Sequence, residues 1–479
     1  MENLFLVLRD RLYRILMSQQ ILFDPALIMR YDRSGPRYTS YPTVARFHSD
    51  ISQDDYRRWA CSSNEDPIPR PLSLYFHTPS CDSACFYCAC NKVVTRDHIR
   101  ATDYLQRLHR EIALQAALFD RDRIVEQLHW GGGTPTYLDA GQCRELMRIT
   151  RKHFSLRSDD GGEYSVEADP CSVDRDKLSV LRDIGFNRIS LGIQDFDPDM
   201  QKAVNRIQSA ELTRNITEHV RSLGFKSINM DLIYGLPLQT VDTFTRTLQQ
   251  AIALQPDRIA AYDYAHLPER FKPQHHTSEA GLPPADVKLG LLQLTIRMLT
   301  DAGYIYIGME HFAKPGDELA LAQQNGTLHR NFQGYSTRVD CDMIGMGVCA
   351  IGRVCDNYSQ NARNLDRYIE MLDAGRLPLE RGIELEPDDL LRREIILLLT
   401  CEFRLDIAAL ESRWRFDFRD YFRHEYVELE RLQKDGLLSI DTDSLKVLPA
   451  GRLLVRNICM VFDRYLQNGG NKVRFSKVI

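Results

Sequence analysis

Strand-like and helix-like segments alternate along this 479-residue chain, and no other feature constrains its fold as strongly. From residue 72 onward, the short apolar run "LSLYFHT" is followed by "TDYLQRLHREIALQAALF", in which apolar residues recur at helical spacing. About six such units follow one another, and the extended segment "YIYIGMEHFA" comes after them. Repeated strand–helix units place parallel strands side by side, and right-handed crossovers curl such a sheet into a full or partial barrel. The pattern predicts an α/β fold whose core is a partial (β/α)6, TIM-like barrel.

The same periodicity divides the chain into four parts. Residues 17–71 form an N-terminal segment rich in aromatic and turn residues, and residues 72–375 form the barrel domain. From about residue 376 the apolar period becomes helical, with one candidate hairpin at "LLSIDTDSLKVL". We therefore expect a C-terminal, mostly helical domain over residues 376–479, of winged-helix type. Residues 1–16 precede a second methionine, Met17, and are expected to be an extension or a misassigned start.

Composition and charge argue against several classes of protein. Hydrophobic residues make up 43% of the chain and charged residues 27%, which is typical of a globular protein. A formal net charge of -5 creates no global positive field that would attract nucleic acid. No apolar run is long enough to span a bilayer, and the short one at residues 4–8 is too charged at its end for a secretory signal. We expect a cytoplasmic protein with no nucleic-acid partner and no membrane span.

Polar residues stand where the predicted strands end. Cys81 follows the first strand, a run of three glycines follows the second, and Glu167 lies on the third. Gln194 and Asp231 end the fourth and fifth. A polar residue in an apolar strand costs free energy unless it has a partner or a ligand. Separate hydrogen-bonded turns would explain any one of these residues, but the set indicates one shared site.

Four cysteines, Cys81, Cys85, Cys88 and Cys90, fall within ten residues. In a reducing compartment such crowding indicates metal binding rather than disulfides. Structural zinc usually takes two ligand pairs separated by a longer loop, whereas iron–sulfur clusters accept compact cysteine runs. A zinc knuckle is the alternative. If Cys81, Cys85 and Cys88 hold three irons of a cubic cluster, the fourth iron stays open, and an open position marks a catalytic centre.

The spacing C-x-x-x-C-x-x-C, with Tyr87 before the last cysteine, resembles the signature of radical S-adenosylmethionine enzymes. The segments "YFHTPSC", "CNKVVTR", "LHWGGGTPTYL", "GFNRISLGIQDF", "DLIYGLP", "HRNFQGY", "GMGV" and "FSKVI" resemble those of oxygen-independent coproporphyrinogen III oxidases. The resemblance runs from about residue 22 to the last residue.

This resemblance implies a radical S-adenosylmethionine core barrel, one 4Fe–4S cluster on Cys81, Cys85 and Cys88, and two molecules of S-adenosylmethionine. One electron from the reduced cluster would cleave the cofactor to a 5′-deoxyadenosyl radical, which abstracts a propionate β-hydrogen. Loss of CO2 and of one electron to an acceptor then leaves a vinyl group. Two rounds convert coproporphyrinogen III to protoporphyrinogen IX in heme biosynthesis.

The resemblance also implies which residues contact S-adenosylmethionine. The ring face of Tyr75 would suit the sulfonium cation, and the missing side chains of a glycine run would let backbone amides approach the methionyl part. The expected contacts are Tyr75, Tyr87, Gly132, Gly133, Thr134, Glu167, Gln194, Arg206, Asp231, Ala265 and Ile351. Those expected for the second molecule are Tyr87, Gly133, Thr134, Gln194, Arg206 and Asp231. For Ala265 and Ile351, simple core packing is the alternative.

Three further residues are candidates for the reaction itself. Cys90 is not a ligand in this family but accompanies the true oxidases, so it is a candidate catalytic residue, with a buried thiol near the cluster as the alternative. The substrate carries four propionates, and Arg is well shaped to bind carboxylates. Arg37 in "SGPRYTSYPT" and Arg330 in "HRNFQGY" are the candidate substrate contacts.

Several residues depart from the usual pattern of the family. Thr78 and Ser80 replace apolar residues, and Ala89 replaces a glycine. Asp263, Glu310 and Cys349 stand where Asn, Asp and Ser are more usual. These departures leave room for a relative with altered substrate or activity.

Competing hypotheses are a related radical S-adenosylmethionine enzyme of heme utilisation or degradation, a heme chaperone, and a zinc-stapled interaction protein. The full-length resemblance and Cys90 favour the oxidase. The expected partners are coproporphyrinogen III and a cytosolic reductant such as flavodoxin or ferredoxin, and the chain is expected to be a monomer.

Overall fold

The computed structural model describes residues 21–338 and 341–467, which form two compact units. The sheet unit comprises residues 46–294, 338 and 341–385, and the helical unit comprises residues 21–45, 295–337 and 386–467. The extension predicted for residues 1–16 and the terminal "FSKVI" lie outside the described residues. The domain boundaries expected after residues 71 and 375 stay predictions.

The sheet unit is built on one mixed β-sheet. Its main strands are β1 (Leu72–Thr78), β2 (Ile124–Gly132), β3 (Glu163–Ala168), β4 (Arg188–Gln194), β5 (Ser227–Tyr234), β6 (Arg258–Asp263), β7 (Asp342–Met346), β8 (Ile351–Val354), β9 (Asn357–Asn361) and β10 (Leu379–Ile383). Strands β1 to β6 are successive parallel neighbours, and β7 pairs in parallel with the other side of β1. The path then continues through β8, β9 and β10, which pair antiparallel. The predicted parallel core is confirmed, and because β1 pairs with β7, strands β1 to β6 are part of a barrel and not a closed one.

Helices follow the parallel strands, as the periodicity predicts. Their bounds are Ile99–Ala116, Ala140–His153, Arg175–Asp183, Pro198–Ala203, Ala210–Ser222, Val241–Ala253 and Ala285–Asp301, with Gln53–Asn64 before β1 and Leu365–Asp373 before β10. Local sequence sets where they begin. Asp139, for example, accepts from the Gln142 amide, while the Gln142 side chain accepts from the Asp139 amide. This reciprocal capping box satisfies two amides that the first helical turn leaves without partners.

Alternation within the strands gives the sheet one apolar and one polar face. In β1, Leu72, Leu74 and Phe76 are at most 1% exposed and belong to the core. The residues that alternate with them, including Tyr75 and His77, point to the opposite face. The same alternation in β2 to β5 places His129, Glu167, Ser190 and Asp231 on that polar face.

The helical unit contains the expected C-terminal helices and a small sheet. Its helices are Pro25–Tyr31, Glu318–Gln324, Pro387–Glu402, Ile407–Trp414, Phe418–Tyr421, Arg423–Lys434, Val455–Val461 and Arg464–Gln467. The expected hairpin is present, because Leu438–Ile440 pairs antiparallel with Ser444–Val447, and Arg404–Asp406 adds a third strand. A second small hairpin joins His329–Asn331 to Gly334–Ser336.

One segment of the helical unit differs from the expectation. "YIYIGMEHFA" is not one extended segment but a hairpin of Ile305–Gly308 and His311–Ala313. Met309 and Glu310 turn the chain with φ values of 45° and 72°. Hairpin turns with positive φ normally carry Asn or Gly, so this turn has no strong signal in the sequence.

Throughout residues 21–338 and 341–467, no helix combines the length and the apolar character that crossing a membrane requires.

A buried carboxyl group ties the end of β7 to the helix Ile99–Ala116. Glu111 of that helix accepts from the Gly347 amide at 2.8 Å, the Tyr368 hydroxyl at 2.6 Å and the Asn361 side-chain amide at 2.6 Å. Its side chain is fully buried, and this burial raises the pKa of Glu111 to about 7, although the three donors oppose the rise. Tyr104 of the same helix donates to the His77 carbonyl at 2.7 Å. The helix thereby holds the ends of β1 and β7 together.

Glu111 makes a pH-dependent contribution to stability. Its carboxyl binds a proton more tightly in the folded than in the unfolded chain, so its contribution is fully present below about pH 4.5 and is lost as pH rises through about 7. Relative to Glu111→Gln, the wild type should lose about 2 to 3 kcal/mol of unfolding free energy between about pH 5 and pH 8. Urea titrations followed by circular dichroism at several pH values would measure this difference. Parallel pH profiles of the two proteins would contradict the prediction.

Candidate active site

A cavity of about 300 Å³ lies at the carboxyl ends of the parallel strands. Twelve of the residues predicted from the sequence line it, and they come from the cysteine loop, from strands β2 to β5, from the turn after β2 and from the segment after the helix Pro198–Ala203. They are Cys81, Cys85, Tyr87, Cys88, Cys90, Gly132, Gly133, Thr134, Glu167, Gln194, Arg206 and Asp231. The expectation of one shared site therefore agrees with the position of these residues, whose individual roles stay predictions.

The cysteine loop leaves β1 directly. Cys81 ends the short strand Ser80–Cys81, which pairs with Val93–Val94, and Cys85 and Cys88 follow in the loop. Cys81 and Cys85 are each 8% exposed, whereas Cys90 is exposed. Burial raises the pKa of Cys81 to about 11. The pKa of Cys88 is lowered, because Cys90 donates a hydrogen bond to it and Lys92 lies nearby.

The donor set on this wall suits an iron–sulfur cluster. Four thiols line one cavity, and thiolates are the ligands that such clusters take. In the part of the chain that the structure describes, no three His, Cys, Asp or Glu side chains stand close enough to bind one metal ion.

The glycine run at the end of β2 is needed because its backbone lies so close to the start of the cysteine loop that a side chain would not fit. A Cβ at Gly133 would lie 2.5 Å from the Pro79 carbonyl oxygen and 3.0 Å from the Cys81 sulfur. Gly132 has a φ of 119°, which L side chains rarely adopt. The Gly133 amide donates to the Thr78 carbonyl at 2.8 Å, so the run fastens the end of β2 to the start of the cysteine loop.

A polar row crosses the sheet beside the cavity. The rings of Tyr75 on β1 and His129 on β2 stack with centroids 5.8 Å apart and an interplanar angle of 11°. His129 Nδ1 lies 2.5 Å from Ser165 Oγ, and its Nε2 lies 3.2 Å from Glu167 Oε1. The second oxygen of Glu167 accepts from the Gly132 amide at 3.2 Å. Two contacts from the neighbouring strand β2 therefore determine the orientation in which Glu167 reaches the cavity.

Asp231 on β5 is a second oriented carboxylate. Ser190 donates to its Oδ2 at 2.8 Å, and Asn229 donates to its Oδ1 at 2.9 Å. Burial raises the pKa of Asp231 to about 6, a rise that Ser190 opposes. At neutral pH this carboxylate is negatively charged, lines the cavity and is fixed in orientation by its two donors.

Arg206 is a partly buried cation on the same wall. Its Nη1 lies 3.0 Å from Asp169 Oδ2 and 3.7 Å from the Cys85 sulfur, and its Nη2 donates to the Gly192 carbonyl at 2.9 Å. The Nε of Arg206 is buried and has no hydrogen-bond partner within the described residues. This N–H is therefore available to a bound anionic group.

The other predicted residues lie outside the lining of this cavity. Tyr75 does not reach the cavity itself. Its ring stacks on His129, which in turn contacts the cavity-lining Glu167. Ala265 follows β6, and Ile351 begins β8. In the helical unit, Arg37 pairs with Glu310 at 3.3 Å.

Arg330, also in the helical unit, has unused donors. It is 7% exposed, and its guanidinium lies over the Tyr335 ring at 4.8 Å. Its Nε and Nη1 lack a hydrogen-bond partner among residues 21–338 and 341–467.

Sequence reasoning missed several residues that line the cavity, namely Lys92, Asp169, Ser190 and Tyr262. Asp169 could have been found, because it follows Glu167 by two residues at the end of the same strand. Ser190 and Tyr262 alternate with apolar residues in strands that were recognised, so period-2 counting would have placed them on the polar face.

Three of the departures from the family pattern have local partners. Asp263 pairs with Lys288 at 2.7 Å, and Thr78 donates to the Gly131 carbonyl at 3.2 Å. The Cys349 sulfur lies 3.8 Å from both ring nitrogens of His77. These residues are thus accommodated within the fold.

Comparison with known proteins agrees with this geometry. The model of the radical SAM superfamily matches residues 75–251, and that of the HemN C-terminal domain matches residues 385–454. The oxygen-independent coproporphyrinogen III oxidase of Pseudomonas aeruginosa is 51% identical over 463 residues, which are 97% of this chain and 100% of the relative. The enzyme of that name from Escherichia coli is 48% identical over 461 residues, or 96% of this chain and 99% of the relative.

A solved structure extends the likeness to the fold. Coproporphyrinogen III oxidase (HemN) from Escherichia coli, described as a radical SAM enzyme, matches with a TM-score of 0.88 and 46% identity, covering 93% of this chain and 100% of that one. The resemblance inferred from the sequence motifs is confirmed. With identity of this order over nearly its whole length, the chain belongs to the oxygen-independent coproporphyrinogen III oxidase family of radical SAM enzymes.

Proposed function

We propose that this protein is an oxidoreductase that decarboxylates two propionates of coproporphyrinogen III without oxygen, giving protoporphyrinogen IX. The observation that carries the proposal is the cavity that four thiols, two oriented carboxylates and a partly buried arginine line. A 4Fe–4S cluster and S-adenosylmethionine bound there supply the 5′-deoxyadenosyl radical that takes a hydrogen atom from a propionate. The chain's own residues hold and orient these groups.

Cys81, Cys85 and Cys88 would hold the cluster. Thr134 Oγ1 lies 3.3 Å from the Cys81 sulfur, a contact that favours the thiolate against the burial that raises its pKa. Arg206 Nη1 lies 3.7 Å from the Cys85 sulfur. The Cys90 amide donates to the Cys88 sulfur at 3.4 Å. These contacts support a three-cysteine site with the cavity on its open side.

S-adenosylmethionine carries cationic groups and one carboxylate, and the cavity offers partners for both. Glu167 and Asp231 are the oriented acceptors, and the Nε of Arg206 is the unused donor. The backbone at Gly132 and Gly133 leaves room for close approach. We infer that Tyr87, Gly133, Thr134, Gln194, Arg206 and Asp231 also serve a second molecule in the same cavity.

Two arginines are proposed to bind the substrate, because their positive charge suits the propionate carboxylates. The buried guanidinium of Arg330 has two N–H groups without partners in the described chain, which suits a propionate carboxylate. Arg37 would have to exchange its contact with Glu310 for a propionate. Cys90 is proposed as a catalytic thiol because it is exposed and lines the cavity beside the cluster ligands. A cytosolic setting, a flavodoxin or ferredoxin as reductant and a monomeric state complete the proposal.

Anaerobic turnover tests the proposed function. The reconstituted protein is incubated with coproporphyrinogen III, S-adenosylmethionine, a reductant and cell extract as the source of the electron acceptor. We expect loss of two CO2 per porphyrinogen, with 5′-deoxyadenosine formed alongside, as detected by mass spectrometry. The Escherichia coli relative is the positive control. If that enzyme forms vinyl product while this protein forms only deoxyadenosine, the substrate is wrong, and heme degradation is the next activity to measure.

Serine substitutions distinguish the cluster ligands from the fourth thiol. Replacing Cys81, Cys85 or Cys88 should lower bound iron and activity at least tenfold, because a cluster held by three thiolates loses an iron ligand. Cys90→Ser should keep iron and the visible spectrum of the wild type. Cys143→Ser, which alters a fully buried thiol away from the cavity lining, is the matched control. Zinc instead of iron and sulfide in the wild type, or loss of iron from Cys90→Ser alone, would contradict the assignment.

The titration of Asp231 should weaken cofactor binding at acidic pH. Below its pKa of about 6 the carboxyl is neutral, so it no longer attracts a cationic group. The affinity for S-adenosylmethionine should fall about fourfold between pH 7.5 and pH 5.5 in the wild type. Asp231→Asn should bind more weakly and lack this dependence, as isothermal titration would show. Asp195→Asn changes another buried carboxyl whose pKa burial raises, and it should keep the wild-type profile. An unchanged profile in Asp231→Asn would contradict the prediction.

A further inference from the structure

The segment between β6 and the helix Ala285–Asp301 folds over the cysteine loop. It contains two short 3-10 helices, Lys272–His276 and Glu279–Gly281. Gln274 in the first of them is 1% exposed. We propose that Gln274 is a positioning residue that fixes the cysteine loop against the chain at Ala265, and so keeps the cluster in register with the adenosyl end of S-adenosylmethionine. This inference rests on the proposed function.

The side-chain amide of Gln274 donates to two carbonyls, one 187 residues away in the cysteine loop and one nine residues away after β6. Its Nε2 donates to the Tyr87 carbonyl at 3.1 Å and to the Ala265 carbonyl at 3.2 Å. Its Oε1 accepts from the Leu267 amide at 2.6 Å. Carbonyls only accept and backbone amides only donate, so these partners determine the orientation of the amide. One side chain thus joins the cysteine loop to the chain just beyond β6.

The point at which Gln274 holds the cysteine loop is the interval between two proposed cluster ligands. Tyr87 lies between Cys85 and Cys88, and its ring packs against a core cluster of Met200, Val204, Leu236 and Tyr264. His276, two residues after Gln274, stacks on Phe86 with ring centroids 4.8 Å apart and an interplanar angle of 28°. Both residues between the second and third cysteines are therefore held by the 3-10 segment.

The other carbonyl that Gln274 holds belongs to the proposed adenosyl side. Ala265 is an expected contact of the adenosyl group, and Tyr262 of the preceding strand lines the cavity. Formation of the radical depends on the distance between the cluster and the bond of S-adenosylmethionine that is cleaved. A misplacement of either group by about 1 Å can lower the rate about 100-fold. The hydrogen bonds of Gln274 to the Tyr87 and Ala265 carbonyls form a bridge that would limit that misplacement. If Gln274 merely closed its own loop, the Leu267 contact would suffice.

Gln274→Met tests the bridge, because methionine has a similar length and no N–H donors. Gln323→Met is the matched control, since Gln323 also donates to two backbone carbonyls, those of Ile307 at 2.7 Å and Cys401 at 2.8 Å, in the helical unit. For each protein we would measure bound iron, the electron paramagnetic resonance spectrum of the reduced cluster with and without S-adenosylmethionine, and deoxyadenosine formed per vinyl group.

We expect Gln274→Met to bind iron as the wild type does. Its spectral change on addition of S-adenosylmethionine should shrink, kcat should fall about tenfold or more, and deoxyadenosine per vinyl group should rise. Gln323→Met should match the wild type. Equal behaviour of the two variants would overturn the proposal, and so would loss of iron or of cooperative unfolding in Gln274→Met, which would indicate a structural role alone. Absence of any spectral change in the wild type itself would instead count against the proposed function.

Gln274→Glu provides a second test through pH. A carboxyl held between two carbonyl oxygens has a raised pKa, and its protonated form can donate one hydrogen bond. The activity of Gln274→Glu relative to the wild type should therefore rise as pH falls from about 8.5 to about 6.5, while that of Gln274→Met stays level. A level ratio for Gln274→Glu would show that the hydrogen bond is not the cause.

Discussion

The register of the parallel strands is the constraint on which the rest of the site depends. Tyr75 is paired with His129, His129 with Ser165, and Glu167 with Ser190. Because side chains alternate between faces, a slip of one residue in any of these pairings would turn the polar row into the core and expose leucines in its place. The apolar residues between them, such as Trp130 and Val166, are fully buried and make that slip costly. The same strand register thus determines both which residues pack in the core and how the polar side chains of the site are placed.

Much of this arrangement could be predicted from short-range pattern. β1 was expected at "LSLYFHT" and occupies Leu72–Thr78, and the cysteine loop follows it at once. Glu167 and Asp231 could be placed because a charged residue in an apolar run stands out. The position of Asp169 at the end of β3 was within reach of the pattern, but its pairing with Arg206, 37 residues away, was not. Gln274 gave no signal at all, since its importance comes from Tyr87, 187 residues away. The hairpin at Met309 and Glu310 escaped because its turn lacks the usual Asn or Gly.

Residues that are unusual for the family show how the fold absorbs local change. A charged group at Asp263 is balanced by Lys288, whose ammonium also donates to the Tyr264 carbonyl at 3.0 Å. Glu310 is likewise opposite Arg37. In both cases an anion has a cation beside it, which offsets part of the penalty for placing a charge in a partly buried position. Such substitutions change the local charge pattern while leaving the three cysteines and the glycine run as they are.

Cys81 and Cys85 are almost fully buried, and with Cys88 these proposed cluster ligands border the same cavity as the proposed cofactor contacts. This shared space has a consequence for how the enzyme matures under the proposed assignment. Iron and sulfide would have to reach the cysteines through the volume that S-adenosylmethionine would later fill, so cluster insertion would have to precede cofactor binding.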